Sequence, residues 1–389
     1  MNLHGLISVS VLLFLGVSAD EPLQQFSKDN LKFSANIYQE LAKKDKAFIA
    51  SPISAEIVLS LVAEGAKGDT HTELSKAVHI GSNQREALKV ISPTLNSEKD
   101  DAKLLSANKI YVAEGFDIKK SIKSLAADVY KAGIENVNFK ENVAAADLIN
   151  KWVEGRTNNK IKDLIKPDQV DSLTKLVLVN VLYFTAKWHH PFTKSLTSQK
   201  PFYTSEKETK NVEMMQNTLE ASFWHCGYLK AKFLELPFLD TNVTMTFILP
   251  DSKTGLADVA ERVQEYLAHA KYIRKPVAVS IPKFTIRNNI DLVPILKELG
   301  VRKLFSKDAD LSGISDKGGL SVSSVQQQAY IDVNESGVEA AAATAVGIGL
   351  TSALQPPKPE DTFIADHPFL YVLKDRTHNI VLFVGSYKG

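Results

Sequence analysis

A single cysteine, Cys226, in 389 residues excludes an internal disulfide and any multi-thiolate zinc site. A chain without disulfides has to be held by its core, and 44% hydrophobic residues over this length supply one. Cys226 itself reads either as a free reactive thiol or as a small buried hydrophobe between strand-like segments. Charge of one sign is also missing. The 46 basic and 45 acidic residues leave a formal net charge of +1, which argues against a nucleic-acid protein or a polybasic membrane binder. There is no G-x-S-x-G elbow, no H-E-x-x-H pair and no Walker loop, so no enzyme and no catalytic residue is expected. The nine histidines are scattered, and the one adjacent pair, His189-His190, would point to opposite faces of a strand; no metal site is expected. No internal repeat, low-complexity tract or domain boundary interrupts the chain.

The apolar run within residues 3–19 is too short to span a membrane comfortably. It is densest at Val11-Leu12-Leu13-Phe14-Leu15, is preceded only by a weakly basic start, and closes on Val17-Ser18-Ala19. That pattern reads as a signal peptide cut after Ala19, giving a secreted, extracellular mature chain of residues 20–389. Helix-like patterns dominate roughly residues 23–175, apart from a strand-like stretch near Ala107–Val112. Strand-like patterns dominate roughly 176–250 and 276–389, interrupted by helices at Leu256–His269 and Ile290–Leu299. Segregated helices and strands of this kind predict one α+β domain. The proline-rich stretch Gln355-Pro356-Pro357-Lys358-Pro359 cannot pair as a regular central strand.

The most informative segment is Glu335-Ser336-Gly337-Val338-Glu339-Ala340-Ala341-Ala342-Ala343-Thr344-Ala345, directly after the strand-like Ala329-Tyr330-Ile331-Asp332-Val333. Read with period 2, one face carries Val338, Ala340, Ala342, Thr344 and Val346, all small and uncharged. The other carries Glu339, Ala341, Ala343, Ala345 and Gly347. Such a segment can live exposed as a loop or inserted as a central strand. Alanine also favours helix, so composition alone leaves an alanine-rich helical turn or a linker open.

Context favours the strand reading. The segment resembles the hinge of the reactive-centre loop of serpins, and further motifs follow in the family's order. Ala50-Ser51-Pro52-Ile53-Ser54 resembles the shutter, with Gly65-Ala66-Lys67-Gly68-Asp69-Thr70 after it. Ile149-Asn150-Lys151-Trp152-Val153 resembles the helix over the main sheet. Leu178-Val179-Asn180-Val181-Leu182-Tyr183-Phe184 with Trp188 resembles the breach strand. Asp366-His367-Pro368-Phe369-Leu370 and Val381-Leu382-Phe383-Val384-Gly385 resemble the C-terminal signature. The resemblance implies a serpin fold: a single α+β domain with a large mixed sheet, further sheets, about nine helices and an exposed reactive-centre loop at about 335–365.

It also implies a suicide-substrate inhibitor of an extracellular serine protease, monomeric, needing no cofactor. The protease cuts the loop and forms an acyl-enzyme. The loop then inserts into the main sheet and traps the protease. Arthropod haemolymph members restrain immune cascades of the Toll or melanisation type in this way. Gly337 bends at no steric cost, Val338 enters first where many members have threonine or serine, and Glu339, Ala340, Ala341, Ala342, Ala343 and Thr344 follow. The family's spacing from Glu335 reaches Thr351, with Ser352 after it. Leu350, Leu354 and the basic Lys358 are alternatives. Against Lys358, Pro359 follows it, and the tether would lengthen by about seven residues, roughly 23 Å if extended. In the shutter, Gln327 stands where many members have histidine, with Asn180 and Ser54 as partners to be satisfied.

Three basic clusters read either as solvated faces or as sites for a heparin-like glycosaminoglycan accelerator: Lys119, Lys120 and Lys123; Lys160, Lys162 and Lys166; Lys271, Arg274 and Lys275. Of the two glycosylation sequons, at Asn242 and Asn334, only Asn242 lies outside an expected strand. The alternative function is a non-inhibitory serpin acting as carrier or storage protein.

Overall fold

The computed structural model describes residues 20–268, 271–338, 359 and 361–389. Its helices are α1 (Asp20–Ala42), α2 (Pro52–Gly65), α3 (Gly68–Val78), α4 (Gln84–Ile91), α5 (Lys120–Asp128), α6 (Asn142–Arg156), α7 (Leu256–Glu261), α8 (Val263–Ala268) and α9 (Val293–Glu298). The strands in the first half are β1 (Phe48–Ala50), β2 (Asn96–Glu98), β3 (Ala102–Ala113), β4 (Gly133–Val137) and β5 (Leu176–Lys187). Then come β6 (Ser198–Tyr203), β7 (Thr209–Cys226), β8 (Ala231–Pro237), β9 (Val243–Pro250), β10 (Ile273–Pro282), β11 (Phe284–Asp291) and β12 (Ser324–Asn334). The last are β13 (Gly337–Val338), β14 (Asp361–Ile364), β15 (Phe369–Asp375) and β16 (Ile380–Tyr387). The nine helices among the described residues and the mixed sheets are those the resemblance implied.

The sequence explains the main elements. Pro52 sits in the first turn of α2, where its missing N–H costs nothing. The helix is apolar nearly all round and is therefore buried. β5 is apolar apart from Asn180, Thr185 and its final Lys187 and is buried along most of its length, as a central strand covered on both faces must be. Its alternate residues enter two cores: Leu176, Leu178, Leu182 and Phe184 join the main core. Val177, Val179 and Val181 join Ile149 and Val153 of α6 in a second, smaller core. The sheet containing β5 has the order β11-β12-β13-β5-β3-β2, with β4 on β3. The other nine strands form a second sheet, β1-β16-β15-β9-β8-β7-β10-β14, with β6 on β7.

Some boundaries differ from the expectation. The early strand extends over Ala102–Ala113 because it pairs along its length with β5. Three short strands, β1, β2 and β4, also lie in the helix-rich part. The last helix starts at Val293, not Ile290, because Ile290 and Asp291 still pair with Gln327 and Gln326. Cys226 is buried, and its Sγ accepts the Leu229 N–H at 3.4 Å, so it is the small core residue and not an exposed thiol. His189 and His190 lie past the end of β5, so the strand rule fails for them. Their rings meet, with Nδ1 of His189 3.3 Å from Nε2 of His190. No metal-holding cluster of three or more ligands occurs among the described residues.

One core carboxyl stands out. Glu56 of α2 is fully buried, accepting from Asn30 of α1 at 3.0 Å and from Gln84 of α4 at 3.4 Å. Burial pushes its pKa from 4.5 up to about 8, against the two hydrogen bonds. Between these values the folded chain keeps a proton that the unfolded chain gives up. Stability is therefore full below about pH 4.5 and falls as pH rises towards 8. Glu56→Gln should remove this slope, leaving the variant as stable as the wild type at pH 4.5 and more stable at pH 8. Urea unfolding at both pH values checks it, and parallel pH dependence in the two proteins would refute it.

Candidate functional site

The ladder between β5 and β12 is built for only half its length. The two strands run parallel and pair from Ser324 with Val177 to Gln328 with Val181. Above that they part, and Gly337–Val338 stands between them. Val338 pairs with Val333 on one side and Ala186 on the other; Gly337 pairs with Asn334 and Lys187. Thr185 Oγ1 donates to the Val338 carbonyl at 3.1 Å, and Val338 is 1% exposed. The hinge thus already occupies the top of the sheet. Between the hinge and the lower pairs, residues 329–332 and 182–185 do not pair with each other among the described residues.

Glycine is required at 337 for a reason different from bending alone. Its φ is +155°, and a Cβ there would lie 2.0 Å from the Ala186 carbonyl oxygen. Only a residue without a side chain lets the hinge backbone approach β5 this closely.

Below the parting lies a closed polar knot. Gln327 Nε2 donates to Asn180 Oδ1 at 2.6 Å and to the Ser51 carbonyl at 2.8 Å, while its Oε1 accepts the Ser51 N–H at 2.9 Å. Asn180 Nδ2 donates to the Gln326 carbonyl at 3.2 Å. Ser51 Oγ donates to the Leu382 carbonyl at 2.9 Å. Glutamine's amide makes all three of its bonds because it both donates and accepts. Ser54 does not join Gln327; its hydroxyl donates instead to Asn108 of β3 at 3.0 Å, a partner that sequence reading did not identify.

Above the parting lies a second lock. Trp188 stacks on Phe238 with centroids 4.5 Å apart, and its Nε1 donates to the Asn334 carbonyl at 2.9 Å. Its backbone N–H reaches the Ser336 carbonyl at 2.9 Å. Glu335, 6% exposed, accepts from Thr197 at 2.9 Å and faces Lys283 Nζ at 3.4 Å. Burial raises its pKa, but hydrogen bonds from its own backbone N–H and Thr197, with the Lys283 cation, outweigh that and hold it below the usual carboxylate range. Lys283 and Thr197 were not singled out from sequence. They lie 52 and 138 residues from Glu335, and no local pattern links them.

The remaining expected positions are dispersed. Glu339, Ala340, Ala341, Ala342, Ala343 and Thr344, and the scissile candidates Leu350, Thr351, Ser352, Leu354 and Lys358, lie outside the described residues. The basic clusters occupy three separate places. Lys119 pairs with Asp316 at 2.6 Å beside the exposed Lys120 and Lys123 of α5. Lys160, Lys162 and Lys166 are exposed after α6. Lys271 and Arg274 are exposed at the start of β10, while Lys275 pairs with Asp361. Asn242 is exposed just before β9; Asn334 is half-buried in β12, with Oδ1 accepting the Ser336 N–H at 3.0 Å.

Comparison with known proteins agrees with this geometry. A family model described as serpin (serine protease inhibitor) matches residues 28–388. The leukocyte elastase inhibitor of Bos taurus is 34% identical over 93% of this chain and 99% of its own length. Antichymotrypsin-2 of Bombyx mori is 33% identical over 92% and 96%. Among solved structures, Serpin48 of the insect Tenebrio molitor superposes with a TM-score of 0.85 at 35% identity, covering 94% of this chain and 98% of its own.

A Cβ at position 337 cannot coexist with the hinge pairing to β5. Gly337→Ala should therefore free the hinge from the sheet and loosen Trp188, whose two hydrogen bonds end on Asn334 and Ser336. In a background with Trp152 and Trp224 changed to Phe, the Trp188 emission should shift to the red. Unchanged emission would mean the hinge stays seated.

Proposed function

The chain is a serpin, and we propose that it is a secreted suicide-substrate inhibitor of a serine protease, working by insertion of its reactive-centre loop between β5 and β12. The observation that supports this most is the shared register of the two strands. Carried on from Val338, one antiparallel strand satisfies both edges at once. Residue 340 falls between Ile331 and Phe184, 342 between Ala329 and Leu182, and 344 between Gln327 and Asn180. The same offset already relates β12 to β5 in their lower pairs. The loop therefore needs no slip to complete the sheet.

Insertion would proceed in two stages. Through residue 342 the strand fills the existing parting. Beyond it, the pairs from Gln328–Val181 downwards must open, and Thr344 must displace the Gln327–Asn180 bond. Each inserted residue adds ladder hydrogen bonds worth about 1 kcal/mol net and buries apolar surface. Ala340, Ala342 and Thr344 lose little side-chain entropy. A charge at 342 would be buried between Ala329 and Leu182 without a partner, at a cost of several kcal/mol.

The reactive bond on this reading is Thr351–Ser352, suited to a protease that accepts small or medium side chains. The name of one relative, an elastase inhibitor, supports a partner of that kind; that of another, an antichymotrypsin, fits the alternatives Leu350 and Leu354 better. Secretion rests on the signal-like residues 1–19, and restraint of an extracellular immune cascade is the role we assign. A heparin-like polysaccharide on one basic cluster is proposed as accelerator; salt-sensitive heparin retention, lost on charge reversal of that cluster, tests it.

Incubation of the mature protein with chymotrypsin- and elastase-like proteases should give a covalent complex that survives SDS and a released peptide beginning at Ser352. Ala342→Arg should be cleaved at the same bond but give no complex. A fully inhibitory Ala342→Arg would overturn insertion. Cleavage of the wild type without any complex would point to the carrier or storage alternative.

A further inference from the structure

A cavity of about 260 Å³ lies where the end of α1, the turn between β6 and β7, α7 and the end of β16 come together. It is there because α1 and α7 meet through small side chains, Ala42 on one and Ala257 and Ala260 on the other. With Leu256 and Pro368 these make its walls apolar. An apolar cavity of about 150 Å³ is already enough for one benzene ring, so this one has room for a substituted single ring.

Two hydroxyl groups are set into it. Tyr38 of α1 and Ser386 of β16 both line the cavity and are 0% and 1% exposed. Burial pushes the Tyr38 phenol well above its usual range, and the Ser386 hydroxyl works against that rise, which places the two side by side. Their geometry still falls short of a hydrogen bond, and neither Tyr38 Oη nor Ser386 Oγ has another partner among the described residues. The neighbouring phenol of Tyr371 does not relieve them, because it donates to the Phe48 carbonyl at 3.0 Å. Buried hydroxyls without partners are costly and few in native proteins; here two face one cavity.

The mouth is loosely closed. Asp45 and Lys388 both line the cavity and pair with one another at 2.5 Å, with the Asp45 side chain 95% exposed. A surface pair of this kind is weak and gives way easily. Lys253, the other cation of the lining, lies over the Tyr203 ring, 3.1 Å from its centroid. The charges at the mouth nearly cancel, so nothing there calls for a strongly charged ligand. The two hydroxyls set the remaining requirement. Each can donate and accept, so one group that satisfies both must accept from one and donate to the other. A carboxylate only accepts and an ammonium only donates; a ring hydroxyl does both.

We propose that this cavity binds a small neutral phenol, its ring in the alanine-walled slot and its hydroxyl between those of Tyr38 and Ser386. Such a ligand bridges α1, α7 and β16.

The intact mature protein is titrated by calorimetry with 4-methylphenol and, in parallel, with toluene, which keeps the ring and methyl group but lacks the hydroxyl. One saturable 4-methylphenol site is expected, with toluene about tenfold weaker. Tyr38→Phe/Ser386→Ala should abolish that preference by weakening 4-methylphenol alone. Because it removes hydroxyls that lack partners, this variant should melt no lower than the wild type. Ala260→Leu, at a half-buried wall position, fills the slot and should abolish binding of both ligands. No saturable binding of 4-methylphenol, or full affinity in Ala260→Leu, would overturn the site. Equal affinity of the wild type for the two ligands would overturn the role of the two hydroxyls. No readout involves a protease or loop cleavage, so all stand whether or not the chain inhibits.

Discussion

The structure depends on a β-ladder left half closed. Backbone N–H and C=O groups are obligatory hydrogen-bonding groups, and an unpaired edge inside a protein is costly. Yet β5 and β12 pair over five residues and then separate around the two-residue wedge of Gly337 and Val338. The edges at 182–185 and 329–332 face one another without pairing among the described residues. Oε1 of Gln328, the last paired residue before the parting, is likewise buried with no hydrogen-bond partner among the described residues. A sheet in this condition gains free energy from any strand that completes it.

Two clusters of side chains tie the strands at either end of the parting. At the bottom, Gln327 ties β12 to Asn180 on β5 and to the start of α2 at Ser51. At the top, Glu335 is a nearly buried carboxylate held by Thr197 and Lys283. Loss of either partner would leave the charge poorly compensated, which is far more expensive than the pair's net worth. Trp188 closes the same corner with its stack on Phe238 and its bond to Asn334. Each cluster links residues from distant parts of the chain, so both form only once the fold is complete.

That distance also decides what could be read from the sequence. Of the hinge, Gly337 and Val338 are the described part, and they were singled out by the two-faced alternation from Val338 onward together with the resemblance. Asn180 and Gln327 were legible through the resemblance, as was β5, whose residues lie in a strand-like stretch. The Glu335–Lys283 contact was not, because nothing near Lys283 marks it as one side of a buried pair. Asn108 as the partner of Ser54 was hidden for the same reason. The short strands β1, β2 and β4 were missed because three to five residues do not establish a period, and they take their shape from longer neighbours. Gly337 was singled out, but for freedom of bending; only three-dimensional packing reveals the 2.0 Å conflict that a Cβ would meet.

On the proposed insertion, the composition of the hinge follows from where the two cores lie. Continued in register, the even-numbered residues from Val338 to Val346 share the face of Phe184, Leu182 and Leu178, which belongs to the main core. They must be small and uncharged to fit beneath strands already packed there. The odd-numbered residues share the face of Val181, Val179 and Val177, which lies under Ile149 and Val153 of α6. Below the gap, along the paired half of the ladder, this second face is equally closed, and Ala343, Ala345 and Gly347 are equally small. Near the top it is not: residue 339 falls opposite Thr185 and Asp332, both only half-buried. An acid is tolerated there and nowhere below. On that reading the one charge in the run lies at the half-buried register of Thr185 and Asp332, and the smallness of everything after it suits a strand buried on both faces.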